Sequence, residues 1–131
     1  MNYIFGVDGG GTGCRVGLAD KDGNILSRVE GGPANIETSL TTADNNIVTT
    51  CKKALVQAGL KESILKESFA VLGLAGSNMG DFDKELSKLL PFKDHLIIND
   101  GEIVERVFKT PMGQIVSLFS KQSIVILDQV A

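Results

Sequence analysis

The chain has 131 residues, of which 43% are hydrophobic and 22% charged, and its formal net charge is −3. This length suits one domain that buries roughly two-thirds of its unfolded surface. The negative charge and the absence of a basic stripe argue against a role in nucleic-acid binding. No secretory leader and no stretch long enough to span a bilayer is evident, so we expect a cytoplasmic protein. Cys14 and Cys51 lack metal-ligand spacing, and their apolar positions predict buried, reduced thiols.

The first element is an apolar strand that runs into an acid and then into glycines. Tyr3–Val7 reads as a strand buried on both faces, and the alternation over Cys14–Ala19 predicts a second strand. The glycines between them therefore lie in a hairpin and not at a helix start. A P-loop would need a lysine here, and Cys14 stands where a Rossmann fingerprint needs its third glycine. The glycines are expected to adopt backbone angles that other residues resist.

This turn predicts a phosphate site. Successive N–H groups without side chains can cradle phosphate oxygens, and Thr12 adds a hydroxyl donor. Asp8 would repel phosphate unless a cation lies between them, so Asp8 implies Mg²⁺, held in part through water. The alternative is a tight turn that Asp8 caps, but four glycines exceed what a turn needs. The predicted cofactor-binding residues are Asp8, Gly9, Gly10, Gly11 and Thr12, with Asp8 also the metal ligand.

The rest of the chain predicts alternating strands and helices. The expected elements are a strand Ile25–Glu30, a loop Gly31–Asn35, a helix from Thr38 or Thr42 to Ala58, a strand Phe69–Ala75, a helix Asp81–Leu90, a strand His95–Ile98 and a helix Glu102–Phe108. The order is βββαβαβα. Crossovers through helices imply that the later strands pair in parallel, which gives an α/β fold with a mixed sheet.

The glycine motif resembles a known one. Asp8-Gly9-Gly10-Gly11-Thr12 is similar to the first phosphate motif of the actin-like ATPase and sugar kinase superfamily. The wider pattern, with Asp20, Asp22-Gly23 and Gly31-Gly32-Pro33-Ala34-Asn35, resembles the BadF/BadG/BcrA/BcrD ATPase family, and within it the N-acetylglucosamine and glucosamine kinases. The resemblance implies that residues 1–109 form a ribonuclease-H-like (actin-like ATPase) lobe that uses ATP and Mg²⁺.

Three strand ends are expected to meet at one sheet edge, because ligands gather at the carboxyl ends of parallel strands. These ends are Asp8, Gly76 and Asp100, with Asn35 arriving from a loop. A carboxylate at a strand end can orient a hydroxyl and accept its proton, so Asp100 is the candidate catalytic base; it could equally cap the following helix.

The resemblance adds roles to several of these residues. Asn99-Asp100 looks like the Asn-Asp pair of the sugar kinases, in which the acid contacts the sugar and acts as base. It implies a sugar contact for Asn35, whose other role would be to stabilise a turn. Gly76 and Ser77 would belong to a small-residue loop beside the substrate, or simply leave the strand. The predicted substrate-binding residues are Asn35, Gly76, Ser77, Asn99 and Asp100.

Residues 110–131 depart from the family pattern. The second phosphate motif of the family is a Gly-Thr-Gly-Ser turn in a hairpin; here only Ser123 matches, although Ile115–Phe119 and Ile124–Leu127 are apolar enough to be strands. A frameshift, a truncation or a natural short form would each explain this tail. The family's second lobe, which carries the adenosine pocket, is expected to be absent, so an exposed lobe face could promote self-association.

Three functional hypotheses follow. The first is the N-terminal lobe of an ATP-dependent amino-sugar kinase that is inactive as this isolated chain. The second is the activator ATPase of an acyl-CoA dehydratase or reductase; such activators use cysteines for an iron–sulfur cluster between subunits, which Cys14 and Cys51 do not suit. The third is a non-catalytic binding or regulatory fragment.

Overall fold

The computed structural model describes residues 2–22, 24–35, 39–74, 81–99, 105–109, 114–119 and 124–129. The described elements are the strands β1 Tyr3–Gly9, β2 Cys14–Asp20, β3 Ile25–Gly31, β4 Phe69–Leu74, β5 Asp94–Asn99, β6 Glu105–Lys109, β7 Gln114–Phe119 and β8 Ile124–Gln129, the α-helices α1 Leu40–Gln57 and α2 Asp81–Leu89, and a 3₁₀ helix Glu62–Glu67. In this described part no helix is long and apolar enough to cross a membrane.

Strands β1 to β5 form one mixed sheet in the order β3-β2-β1-β4-β5. The pairs β1–β2 and β2–β3 are antiparallel, whereas β1–β4 and β4–β5 are parallel. This is the predicted arrangement, and it arises because hairpins join the first three strands while α1 and α2 provide the crossovers to β4 and β5. The predicted α/β fold with a mixed sheet is confirmed.

Capping residues explain where helix α1 begins and where it ends. Ser39 caps its N-terminus by accepting a hydrogen bond from the Thr42 N–H at 3.2 Å, which satisfies one of the unpaired amides of the first turn. At the other end Gly59 takes φ of 74°, a conformation that favours glycine. The helix ends at Gln57, one residue before the predicted end at Ala58.

The main core lies between the sheet and the two helices. It includes Phe5, Val7 and Leu72 from the central strands, Ile47 and Leu55 from α1, and Leu86 from α2, all buried. Strand alternation turns Ile4, Ala19 and Val71 to the opposite face, where they are also buried. Strand β8 lies against β1 and β2. Strand β4 is buried at every position, in keeping with its wholly apolar sequence.

The C-terminal strands form a separate antiparallel sheet in the order β6-β7-β8. The predicted strands Ile115–Phe119 and Ile124–Leu127 are confirmed as β7 and β8. The predicted third helix, Glu102–Phe108, is wrong where the structure describes it, because Glu105–Lys109 is strand β6. Val107 and Phe108 favour a strand, and β7 supplies backbone partners that the helical pattern did not anticipate.

One carboxylate on α1 lacks a partner. Asp44 Oδ1 is buried and has no hydrogen-bond partner in the part of the chain that the structure describes. Burial raises the pKa of the Asp44 carboxyl above its ordinary value of 3.8, because the charged form loses hydration. The native state therefore binds this proton more tightly than the unfolded state does.

We expect Asp44→Asn to stabilise the protein at pH 7 and to lose that advantage in acid. For a raised native pKa, the contribution to stability is complete below pH 3.8 and is lost as the pH rises through the native pKa. Urea unfolding of both proteins between pH 3 and pH 7 measures the difference. A gain that persists unchanged at pH 3, where both side chains are neutral, would contradict the assigned cause.

Candidate functional site

The turn between β1 and β2 presents two backbone amides to solvent. The Gly10 N–H is used within the turn, where it donates to the Gly13 carbonyl at 2.9 Å. Gly11 and Thr12 are exposed, and their N–H groups have no acceptor among the residues that the structure describes. Two adjacent amides without an acceptor among the described residues can donate to an anion. The donor set is thus smaller than the sequence predicted, because Gly10 is already engaged.

The glycines of this turn have two different physical roles. A Cβ on Gly9 would lie 2.7 Å from the Ala34 Cβ and 2.8 Å from Leu74 Cδ2, so Gly9 permits close packing. A Cβ on Gly10 or Gly11 would meet no atom of the described residues within 4 Å. The expected unusual backbone angles are wrong, since Gly59 is the only described glycine with a positive φ. Packing therefore accounts for Gly9, whereas neither packing nor a positive φ requires glycine at positions 10 and 11.

The loop after β3 is joined directly to this turn. The Ala34 N–H donates to the Gly10 carbonyl at 2.9 Å, and the Asn35 carbonyl accepts from the Ser39 N–H at 3.2 Å. The predicted return of Asn35 to the sheet end is therefore confirmed. A small open pocket of about 60 Å³ lies between the turn and the start of α1, lined by Gly11, Pro33, Asn35, Ser39 and Thr42.

Sequence reasoning missed two polar residues of this pocket, Ser39 and Thr42. The Ser39 hydroxyl donates to Thr42 Oγ1 at 2.9 Å while accepting from the Thr42 N–H. The available signal was a serine directly before the apolar periodicity of α1, which is typical of a helix N-cap. Several threonines around it obscured where the helix begins, and so the two hydroxyls were not assigned to the site.

Asp8 is half-buried near the carboxyl end of β1, on the face opposite to the one on which Gly9 meets Ala34. Its cross-strand partners are Arg15 on β2 and Gly73 on β4. Arg15 Nε lies 3.7 Å from Glu30 Oε1. Asp8 does not line the pocket that contains Asn35.

A magnesium ion would find few protein ligands here. The described residues contain no group of three His, Cys, Asp or Glu side chains that could hold a metal. Mg²⁺ usually keeps several waters and binds one or two carboxylates together with substrate phosphates. A single carboxylate at a strand end beside open amides is compatible with such a site and not with a dedicated protein cage. Asp8 is the residue that would hold the ion.

Three strands end side by side at the site. Gly9 of β1 pairs with Leu74 of β4, and Leu74 pairs with Asn99 of β5, so the three residues form one row across the sheet. Two strand spacings put the backbones of Gly9 and Asn99 about 10 Å apart. The prediction that these strand ends meet at one edge is confirmed. Gly76, Ser77 and Asp100 lie outside the described residues, and for Asn99 only the backbone position is described.

The two cysteines lie in the core beneath the turn. Both are free thiols and both are buried, as predicted. Burial raises the pKa of the Cys14 thiol and raises that of Cys51 well above its ordinary value. Cys14 Sγ lies 3.4 Å from Thr50 Oγ1 on α1. Both thiols are therefore held in the protonated form, which suits packing and not ligation of an exposed cluster.

The class of protein follows from the fold and the site together. A sheet of order β3-β2-β1-β4-β5 with a glycine turn after β1 defines the ribonuclease-H-like fold of actin-like ATPases and sugar kinases. The sequence model of the BadF/BadG/BcrA/BcrD ATPase family matches residues 5–106, and the chain belongs to that family.

Similar proteins are longer than this chain. Over 77 residues it is 34% identical to the glucosamine kinase GspK of Vibrio cholerae serotype O1, an alignment that covers 59% of the chain and 26% of that kinase. A Chromobacterium violaceum protein assigned as an N-acetylglucosamine kinase superposes with a TM-score of 0.72 at 24% identity, over 97% of this chain and 48% of that one. The ethanolamine utilization protein EutJ of Carboxydothermus hydrogenoformans gives a TM-score of 0.51 at 11% identity, over 100% and 53% of the two chains.

We expect Gly9→Ala and Gly11→Ala to differ sharply in stability. The new methyl at position 9 would overlap Ala34 and Leu74, which should cost about 2 kcal/mol of unfolding free energy. The methyl at position 11 meets open space, so the change should lie within about 0.5 kcal/mol of the parent protein. Urea denaturation of the three proteins measures both effects. Equal destabilisation by the two changes would show that the turn is packed differently from this description.

Proposed function

We propose that this chain is the N-terminal lobe of an ATP-dependent amino-sugar kinase that phosphorylates glucosamine or N-acetylglucosamine. The observation that carries the proposal is that the open glycine turn and Asn35 meet at one pocket. Family membership supports ATP as the nucleotide. The similarity to glucosamine kinase GspK supports an amino sugar as the acceptor.

The phosphate subsite would be the turn after β1. The exposed N–H groups of Gly11 and Thr12 would donate to phosphate oxygens, and the missing side chains at Gly10 and Gly11 would let the phosphates approach the backbone. Asp8 would hold Mg²⁺ with part of its water shell, and the ion would neutralise charge on the phosphates. Fixed amide dipoles need no reorganisation when charge develops on the transferred group.

The sugar subsite would be formed by the loops that follow β3, β4 and β5. Asn35 can both donate to and accept from sugar hydroxyls through its amide. Gly76, Ser77, Asn99 and Asp100 would complete the subsite, because the strands that precede them end in one row with Gly9. Asp100 would orient the acceptor hydroxyl and take its proton as the oxygen attacks the γ-phosphorus. The products are the sugar phosphate, ADP and one proton.

Two alternatives remain from the sequence. The activator ATPase hypothesis requires cysteines that can reach a cluster between subunits, and the burial of Cys14 and Cys51 disfavours it. The hypothesis of a non-catalytic binding or regulatory fragment predicts that the chain has no turnover, and the absence of both sugar and nucleotide binding would indicate an inert fragment. Self-association through an exposed lobe face stays a prediction that analytical ultracentrifugation can test.

We expect calorimetric titration to detect binding of an amino sugar, either glucosamine or N-acetylglucosamine, and binding of Mg-ATP. Asn35→Ala should abolish measurable sugar binding and leave most of the nucleotide affinity, because the proposal assigns Asn35 to the sugar subsite and the phosphates to the glycine turn. Gly11→Val should weaken Mg-ATP by about tenfold, since its side chain would cover the open amides. Ile25→Ala, on the distant edge strand β3, is the matched control and should change neither affinity. Nucleotide binding without sugar binding would favour the activator, and no binding would favour the inert fragment.

We expect the chain on its own to show negligible kinase turnover. It spans about half of the superposed kinase structure, and a single lobe cannot exclude water from the transferred phosphate. A coupled ADP-release assay with each amino sugar measures this. Sustained sugar-dependent ADP release by the purified chain, lost in Asp100→Asn, would contradict the expectation.

A further inference from the structure

Asn46 on α1 contacts the loop that carries Asn35. Its Nδ2 donates to the Pro33 carbonyl at 2.6 Å. The site that a Cβ on Gly32 would occupy lies 2.7 Å from the same nitrogen, so a side chain at position 32 would displace the Asn46 amide from this position. Loops are in general more mobile than helices, so this neutral hydrogen bond restrains the loop against the helix.

The tethered loop in turn contacts both candidate subsites. One residue after Pro33, the Ala34 N–H donates to the Gly10 carbonyl at 2.9 Å; one residue later, the Asn35 carbonyl accepts from the Ser39 N–H at 3.2 Å. The position of the Pro33 carbonyl therefore constrains the glycine turn and the Asn35 amide together.

The same helical turn also contacts β2, the second strand of the hairpin. Thr50 Oγ1 donates to the Asn46 carbonyl at 2.5 Å and lies 3.4 Å from Cys14 Sγ, at the first residue of β2. A Cβ on Gly31 would overlap Thr50 Oγ1, so this contact too depends on a glycine. One turn of α1, from Asn46 to Thr50, thus contacts both the strand that follows the glycine turn and the loop that bonds to that turn.

We propose that Asn46 is a positioning residue for both subsites. Acting through the Pro33 carbonyl, it holds Asn35 and the Gly10–Gly13 turn in one fixed arrangement, so that the amino sugar and the phosphates of ATP bind to a preorganised unit. This proposal rests on the proposed function for the identity of the ligands, but not for the tether itself. Preorganisation contributes to affinity because less ordering remains to be done on binding.

The test compares variants of the full chain that remove different hydrogen bonds. Asn46→Ala removes the tether, and Asn46→Asp keeps the shape but replaces the donor by an acceptor. Asn45→Ala is the matched control on the exposed neighbour of Asn46. Ser27→Ala is the stability control, because it removes a buried bond from Ser27 Oγ to the Ala54 carbonyl, 2.8 Å long and at the far end of α1.

Two readouts are measured for each variant. The first is amide hydrogen exchange of Ala34 by NMR, whose protection should fall by about tenfold in both Asn46 variants and stay unchanged in Asn45→Ala and Ser27→Ala. The second is calorimetric affinity for glucosamine, N-acetylglucosamine and Mg-ATP. Sugar and nucleotide affinity should each fall by about tenfold in the Asn46 variants only, because both subsites lose the same support.

The outcomes separate this proposal from the proposed function. If the parent chain binds neither sugar nor nucleotide, the proposed function fails, and Ala34 exchange alone decides whether Asn46 fixes the loop. Unchanged Ala34 protection in Asn46→Ala would overturn the positioning role. So would equal losses of affinity in Asn46→Ala and Ser27→Ala, since Asn46 would then act through stability only.

Discussion

The site depends on the contact between two loops at the carboxyl end of β1. The Ala34 N–H bonds the Gly10 carbonyl, and the Ala34 methyl occupies the space that a side chain at Gly9 would need. This pair of contacts joins a turn of a β-hairpin to the loop that leads into α1. Without it, the two loops would belong to separate elements with independent motions. With it, an amide surface and an asparagine share one pocket.

Glycine enters this arrangement for different reasons at different positions. Gly9, Gly31 and Gly32 each leave room for a particular neighbouring group: Ala34 and Leu74, Thr50, and Asn46. A Cβ at Gly10 or Gly11 would have no neighbour within 4 Å in the part of the chain that the structure describes. A run of glycines therefore mixes packing positions with positions that remain open, and only the structure separates the two kinds.

Much of the fold followed from the sequence because local and tertiary preferences agree there. The hairpin strands, α1 with its glycine stop and the parallel strands β4 and β5 all combine a clear hydrophobic period with turn residues at their ends. Glu105–Lys109 was mistaken for helix because its pairing partner β7 lies further along the chain, and sequence pattern carries little information about such partners.

The candidate site was predictable in part. The ends of β1, β4 and β5 could be placed at one edge by topology alone, and the loop after β3 could be expected to bring Asn35 towards that edge. The assignment of Ser39 and Thr42 to the pocket, and the tether from Asn46, could not be derived, because they depend on how α1 is rotated against the loop. That rotation is set by core packing around Ile47 and Cys51, which periodicity does not resolve to single residues.

The alignment of Gly9, Leu74 and Asn99 in one row has an evolutionary consequence. A deletion or insertion of one residue within β4 or β5 would move the following loop by about one pleat and reverse which face every side chain occupies. Descendants of this architecture should accordingly keep the lengths of these strands while they exchange the segments beyond the row. New acceptor chemistries would then arise by replacement of a loop beyond the row, while the strands keep their lengths and their register.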